Sequence, residues 1–331
     1  MELGEQLSWR TIICHAAKEL GFAAVGFTNS EPVQGLKEFL TKRSENGYST
    51  PFEEKEFLRR VSPKEIWPSC ETVVVLAFPL PFAAPPQETE GVLSRSAVGE
   101  DYHKVVRHQL QSLVTHLAGA GWNYETPQIQ VDTGPLNERA FAARAGIGWL
   151  GRNQQLIVPK AGSFFALALL LLDQKLEPDQ PLEKQCGSCQ KCIEACPAQI
   201  IGKPEFAANQ CLSYLTQSKE VLTEEQVSHL NKHIFGCDVC QDVCPHNQEW
   251  LKREASAQSM LSRGVELEGI LLLTKKKFNE RYKGTAAGWR GKGILQRNAY
   301  LALQKNSNLQ LEKWKEDLGK DGIPPIIQPY I

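Results

Sequence analysis

The chain has 331 residues, 42% of them hydrophobic, and 37 Lys and Arg balance 38 Asp and Glu, which is the make-up of a globular protein with room for two or three compact units. The start, Met1-Glu-Leu-Gly-Glu5, has neither a basic nor an apolar leader region, and the longest apolar run, Phe164 to Leu172, is too short to cross a bilayer. Secretion and membrane insertion are therefore not expected, and a cytoplasmic protein is. The near-zero net charge conceals an asymmetry: from Leu251 onward 15 Lys and Arg face 8 Asp and Glu.

Apolar positions at helical spacing predict a helix over residues 5 to 20, and Phe22 to Thr28 reads as a short buried strand. A second helix, Val33 to Glu45, stops at Asn46-Gly47, and Arg59 and Arg60 follow as what the residues alone make a solvated pair at a helix end. Thr72 to Phe78 is a β-branched buried strand, and Pro79 to Gln87 is an irregular loop. The next helix runs to about Leu117 and carries His103. Asp101-x-His103 resembles the loop by which some corrinoid proteins bind cobalt through histidine, but Val106 stands where that loop needs glycine, so His103 is read as a helix residue and no histidine is expected on cobalt.

Gln128 to Val131 reads as a strand delivering Asp132-Thr-Gly-Pro at its end. Asp132 is either a turn or N-cap residue or a carboxyl group that donates a proton to a reacting group, and the residues leave both open. Gly146-Ile-Gly148-Trp-Leu-Gly151 has the spacing of a dinucleotide loop but follows a helical segment (Glu138 to Ala145) and leads into the strand-like Gln155 to Val158, so that reading is rejected. The glycines are expected to let the backbone approach something large and flat, with Arg152 and Asn153 as polar contacts.

Ten cysteines carry the clearest signal. Cys186-x2-Cys189-x2-Cys192-x3-Cys196-Pro is a bacterial ferredoxin spacing, in which three thiolates hold one 4Fe-4S cluster and the fourth reaches a second. After Cys211 the run Cys237-x2-Cys240-x3-Cys244-Pro repeats the theme. A double crossing assigns Cys186, Cys189, Cys192 and Cys244 to cluster 1, and Cys196, Cys211, Cys237 and Cys240 to cluster 2. Zinc sites favour two separated pairs, and a disulfide framework needs an oxidising compartment. The remaining Cys14 and Cys70 are expected to be packed thiols. Leu222 to His233 reads as a helical spacer. The tail from Leu251 is expected to be all helical, and between Lys275 and Arg297 eight basic residues meet only Glu280, interleaved with Phe278, Tyr282 and Trp289 in a way that suits a phosphate-bearing partner.

Taken together, Arg60-Val-Ser-Pro, Gly99-x-Asp-Tyr-His103, Val131-Asp-Thr-Gly-Pro, Glu138-Arg-Ala, Ala145-Gly-Ile-Gly-Trp, the ferredoxin run, Cys211-Leu-Ser-Tyr-Leu-Thr, Phe235-Gly-Cys-Asp-Val-Cys-Gln, Trp289-Arg-Gly and Gln296-Arg-Asn-Ala resemble the epoxyqueuosine reductases over nearly the whole length. The resemblance implies an α+β multidomain fold: a nitroreductase-like α/β cobalamin-binding domain at 1–178, a ferredoxin-like double-cluster domain at 179–250 and a basic HEAT-like helical tRNA-binding domain at 251–331. It implies removal of the epoxide oxygen of epoxyqueuosine at the wobble position of tRNA, with cobalamin fed by two 4Fe-4S clusters and by an external low-potential donor such as a ferredoxin or flavodoxin. Asp132 matches the family's proton donor, and Arg60, Ser94, Asn137, Arg152, Asn153, Ser213 and Asp238 match or adjoin positions implied to contact the corrin. To hold a proton at neutral pH, Asp132 would need its pKa raised by burial away from cations. The rival readings are a cobalamin-dependent reductive dehalogenase and a non-enzymatic electron-transfer protein. Arg152 stands where many members have lysine, His246 where an apolar or aromatic residue is common, and the tail is shorter than in members with a full repeat array.

Overall fold

The computed structural model describes residues 8–256, 261–305, 311–312, 314–316 and 322–331. The chain opens with α1 (Trp9–Glu19), whose N-cap Ser8 accepts the Thr11 amide, followed by β1 (Ala24–Asn29) and α2 (Leu36–Glu45). As expected, α2 ends at Asn46, with Gly47 at φ +70°. Then come α3 (Phe57–Val61), β2 (Thr72–Pro79), β3 (Gly91–Leu93) and the long α4 (Tyr102–Gly119), capped by Asp101. β4 (Gln128–Val131) leads into α5 (Glu138–Arg144), a small hairpin of β5 (Trp149–Leu150) and β6 (Leu156–Ile157), and β7 (Phe165–Leu172).

Strands β1, β2, β7 and β4 form one sheet in that order, and every pairing is antiparallel. Side chains on a strand alternate between faces, and here both faces are apolar and covered. Val74, Leu76, Ala168 and Leu170 pack with α1 and α4, while Val73, Val75, Leu169 and Leu171 pack with Phe141 and Ala142 of α5. The β-branched and leucine runs that announced these strands therefore reflect burial on two sides. Cys70 lies in the second of these cores, completely buried, and burial pushes its thiol up to about 12. Cys14, expected to be packed, is exposed, because the core-facing positions of α1 are Ile13, Ala16 and Ala17.

The second half holds α6 (Lys191–Ala195), α7 (Leu212–Leu215), α8 (Glu224–Leu230), β8 (His233–Phe235) and α9 (Val239–Asp242). It continues with α10 (Gln248–Ser256), β9 (Gly264–Val265), α11 (Leu267–Leu271), α12 (Lys275–Arg281) and α13 (Lys292–Gln304). Two expectations are corrected here. The helical spacer is a capping-boxed helix that stops at Leu230, and His233 begins a strand. The tail is not all helical, because β9 pairs antiparallel with β3, which pairs parallel with β8. Three distant stretches meet in that small sheet. Beneath it, Leu93, Ala97 and Val98 share a core with Leu212, Leu215, Ile234, Ile270, Leu295 and Tyr300.

Arg95 pins these stretches together. Its side chain is 2% exposed; Nε and Nη2 donate to Glu254 at 2.8 and 2.5 Å, Nη1 donates to Asp242 at 2.6 Å, and its backbone amide donates to Asp238 at 2.7 Å. Burial opposes its charge, but the Glu254 hydrogen bond and the carboxylates of Asp242, Asp238 and Glu254 hold its pKa above the usual arginine value. Removing one member of such a group strands the others as unpaired buried charges. Arg95→Met should cost about 3 to 5 kcal/mol, read as an early urea midpoint or failure to accumulate folded protein, and Arg95→Met with Glu254→Met should recover part of the loss. A cost below about 1 kcal/mol for the single variant would show that the network does not hold the fold.

Candidate functional site: two thiol nests and a carboxylate under histidine

The repeated cysteine runs each lead into a short helix, α6 after the first pair and α9 at the second, and each ends in Cys-Pro. Cys186, Cys189, Cys192 and Cys244 line one cavity together with Arg152, Asn153, Ile157, Pro245 and His246. Burial and the neighbouring thiols Cys244, Cys186 and Cys189 raise the Cys192 pKa, and burial with Cys186 and Cys189 raises that of Cys244. The second nest is drier. Burial, then Cys237, Cys211 and Cys196, raise the Cys240 thiol well above its ordinary value, and Cys192, Cys196, Cys211 and Cys240 pack against Ile200, Ile201 and Ala207. Each Cys-Pro thus sits with the cysteines of the other run. The convergence of the cysteines into two groups, with thiols whose ionisation burial opposes and metal ligation would favour, fits clusters. Among the described residues no three His, Cys, Asp or Glu side chains close on a point as a single ion requires, whereas a cubane carries its thiolates on separate irons.

Asp132 stands at the end of β4 in the left-handed region, φ +51°, a conformation that aspartate tolerates better than most residues. It is not an N-cap. Asn137 caps α5, its Oδ1 accepting the Ala140 amide at 3.2 Å, and its own amide donates to the Arg60 carbonyl. The Asp132 carboxyl takes no part in that cap, and 55% of the side chain is accessible. Its Oδ2 accepts the Tyr102 hydroxyl at 2.9 Å and lies 2.9 Å from His103 Nε2, while His103 Nδ1 lies 2.6 Å from Asp101 Oδ1. Both ring nitrogens of His103 are therefore occupied by carboxylates. Burial would lower the His103 pKa, but hydrogen bonds to Asp132 and Asp101 raise it.

This corrects the expectation for Asp132. Burial acts to raise its pKa, yet the hydrogen bond and charge of His103 and the Tyr102 hydroxyl outweigh it, and Asp132 titrates below its ordinary value. The shared contact thus favours the proton on His103 over the proton on Asp132. The carboxyl whose pKa does rise is Glu138, in the first turn of α5. Its Oε1 accepts the Asp132 amide at 2.7 Å and Gln130 Nε2 at 3.3 Å, and burial with the Asp132 charge pushes it up to about 8.

The remaining sequence-derived residues fall into two groups. Arg152 and Asn153 stand at the first thiol nest, where Arg152 Nη2 donates to the Gly187 carbonyl at 2.7 Å and Asn153 Nδ2 to that of Cys240 at 3.3 Å. Buried without a partner are Arg152 Nε and the Nε1 of Trp149, whose ring meets that of His246 edge-on at 5.1 Å. Arg60, Ser94 and Asp238 are instead engaged within the protein. Arg60 is buried and paired to Glu53 at 2.6 Å, not a solvated helix-end residue; Ser94 Oγ bonds Ser96 at 2.9 Å; Asp238 is 5% exposed and bound by Arg95. Ser213, half-buried on α7, gives its carbonyl to Thr216 and Gln217. The glycine loop is also explained within the chain: a Cβ on Gly148 would lie 2.4 Å from the Ile157 carbonyl oxygen, and one on Gly146 2.3 Å from that of Gln180. No flat ligand is needed to account for those glycines.

Residues 185–247 match the 4Fe-4S double cluster binding domain family, and residues 60–133 match the family described as epoxyqueuosine reductase QueG, DUF1730. An epoxyqueuosine reductase of Bacillus subtilis is 36% identical over 321 residues, covering 94% of this chain and 83% of its own. The chain belongs to the epoxyqueuosine reductases. A crystal structure of such a reductase with a tRNA-Tyr epoxyqueuosine-modified stem loop superposes with a TM-score of 0.86 at 33% identity, covering 96% of this chain and 87% of that one. The B. subtilis reductase with its catalytic aspartate loop swung out of the active site superposes at 0.85 with 31% identity, covering 96% and 87%. The chain is accordingly an oxidoreductase that reduces epoxyqueuosine to queuosine in tRNA, and it carries two 4Fe-4S clusters. No helix among the described residues is long and apolar enough to cross a membrane.

Sequence reasoning missed Glu138 and Tyr102 as partners of Asp132. Both stood inside family motifs, and what could have singled out Glu138 is its place six residues beyond Asp132 in the first turn of a helix. A carboxyl whose pKa is raised in the folded protein contributes stability fully below its unfolded value, about 4.5, and loses that contribution as pH rises through about 8. Wild-type protein should therefore lose thermal stability relative to Glu138→Gln between about pH 5 and about pH 9, because glutamine keeps the acceptor for the Asp132 amide without the titration. Parallel pH profiles for the two proteins would show that Glu138 is not perturbed.

Proposed function

We propose that epoxyqueuosine is reduced at Asp132 with a proton stored on His103, and that cobalamin is the cofactor facing it. The observation that carries this reading is the Asp101, His103, Asp132 chain, with contacts of 2.6 and 2.9 Å at a strand end whose last carboxyl is open to solvent. Removing the epoxide oxygen as water takes two electrons and two protons, and side chains hold no such electrons. Cobalamin, when bound, supplies the two-electron chemistry. The partnerless Arg152 Nε and Trp149 Nε1 are the donors this chain offers it, while Arg60, Ser94, Asn137 and Asp238 act behind that surface through the contacts they already make. With both nitrogens held by carboxylates, His103 has no lone pair to give to cobalt.

In the proton path, His103 Nε2 donates to Asp132 Oδ2, Asp101 steadies the imidazolium through Nδ1, and Asp132 passes the proton to the oxygen that develops charge as the epoxide opens. Tyr102, its hydroxyl held far above its ordinary pKa by burial and by Asp132, remains a donor and keeps Oδ2 aimed. The Glu138 bond to the Asp132 amide fixes the turn. We assign Cys186, Cys189, Cys192 and Cys244 to one cluster and Cys196, Cys211, Cys237 and Cys240 to the other, with electrons from a low-potential donor of the ferredoxin or flavodoxin kind. The segment 251–331 is read as a HEAT-like unit that helps seat the RNA, and the cytoplasm as its setting.

Cys244→Ala, although it lies in the second run, should empty the nest of Cys186, Cys189 and Cys192 and lower bound iron towards about half, with Cys196→Ala doing the same to the other nest. Loss of both clusters from every single variant would leave the crossed assignment without support. Asp132→Asn should bind the modified stem loop as wild type does yet lose turnover by about 10² to 10⁴ fold. In wild type the rate should fall as pH rises through the elevated His103 pKa. Normal turnover by Asp132→Asn would remove it from the reaction.

A further inference from the structure

Phe52 and Trp289 are large apolar side chains left 42% and 55% exposed, and they touch each other, ring centroids 5.2 Å apart at 72°. The Arg290 guanidinium lies over both, 5.1 Å from the Phe52 centroid and 4.7 Å from that of Trp289. A single exposed aromatic needs no explanation, but this trio is held from below. Gln217 accepts Trp289 Nε1 at 2.9 Å through its side chain and Arg290 Nε at 2.8 Å through its carbonyl, and Phe52 rests on the buried ring of Tyr214 at 5.2 Å. Two rings and a guanidinium plane are thus built rigidly and left open.

Their place in the fold ties them to the site. Phe52 precedes Glu53, which binds Arg43 and Arg60, and the Arg60 carbonyl holds Asn137, the cap of the helix that follows the Asp132 turn. On the other side, the Gly284 carbonyl, in the loop between α12 and Trp289, accepts the amide of Asp101, the partner of His103. In the segment leading to Trp289, Lys275, Lys276, Lys277, Arg281 and Lys283 are exposed, with Glu280 as the sole acidic residue between 275 and 297.

We propose that Phe52, Trp289 and Arg290 form a stacking platform for an unpaired nucleobase of the tRNA loop, beside the base that enters the Asp132 site. This rests on the reading that the substrate is a tRNA loop, and it names a second contact on that substrate. Reaching a modified base requires the loop to open and its neighbours to leave their stack. Aromatic faces and arginine planes receive such bases regardless of sequence, while the lysines of α12 neutralise phosphates. An acidic protein would also be drawn to this charge, but it has no use for two exposed aromatic rings and a guanidinium plane, with Trp289 and Arg290 held by a shared glutamine.

The test measures affinity, not turnover. Anaerobically prepared, cluster-loaded full-length protein is titrated into a fluorescently labelled anticodon stem loop, and into a duplex of the same length, at several salt concentrations. Trp289→Ala should weaken stem-loop binding by about tenfold or more, leave duplex binding unchanged, and leave the dependence of log affinity on log salt unchanged. Trp289→Phe should restore most of the affinity. Lys276→Ala with Lys277→Ala should instead flatten the salt dependence and weaken both RNAs. Iron content and the thermal midpoint of Trp289→Ala must equal wild type, and Phe52→Ala gives an independent route to the same loss. Stem-loop affinity unchanged by both Trp289→Ala and Phe52→Ala overturns the platform, including the case in which those variants slow reduction by a protein donor. If the wild type does not prefer the stem loop at all, it is the tRNA reading itself that fails.

Discussion

Eight thiols drawn from one stretch must converge on two points, and each Cys-Pro must reach across to the nest built by the other run. That crossing makes α6 and α9 approach one another and turns the chain between Cys186 and Pro245 into a unit closed by metal. The rest is fitted around it. Arg152 and Asn153 hold the carbonyls of Gly187 and Cys240, and Asp238, next to Cys237, takes the amide of Arg95. Helix α7 begins just after Cys211 and carries Tyr214, on which Phe52 rests. The cysteine runs thereby set the positions of Arg152, Asn153, Arg95 and Phe52.

Charge inside the protein divides into two kinds. Arg95 and Arg297 are buried for structure: Arg95 among carboxylates, and Arg297 donating to the carbonyls of Ser218 and Leu215, its pKa lowered to about 10 by burial and by the Arg290 charge. Among the described residues of the tail, Arg263 and Arg297 are buried, and Lys275, Lys276, Lys277 and Arg281 of α12 are exposed. The second kind is at the site, where two carboxylates compete. His103 draws Asp132 down, while burial and the Asp132 charge drive Glu138 up, so two carboxyl groups joined by one hydrogen bond are pushed in opposite directions.

What could be read in the residues follows from range. Strands β2 and β7 were legible because burial on both faces forces a β-branched or leucine run, and the thiol nests were legible because cluster chemistry fixes spacing along the chain. The end of α2 was legible from Asn46-Gly47. The direction of the Asp132 pKa was not, since His103 and Tyr102 arrive from α4, 29 and 30 residues away. Glu254 reaches Arg95 across 159 residues, beyond any pattern of spacing. The glycine loop misled for the same reason: the surface that crowds Gly148 is the Ile157 carbonyl of a hairpin partner, which looks like a ligand contact until the hairpin is seen. Strand β9 is two residues long and exists because β3 offers it an edge.

The most direct measurement is mass analysis of the nucleoside released from tRNA bearing epoxyqueuosine after incubation with anaerobically prepared protein, cobalamin and a strong low-potential reductant, with iron and cobalt counted in the same sample. The account predicts loss of one oxygen atom from the nucleoside, dependent on both metals. An unchanged nucleoside in protein that holds both clusters and cobalt would contradict it.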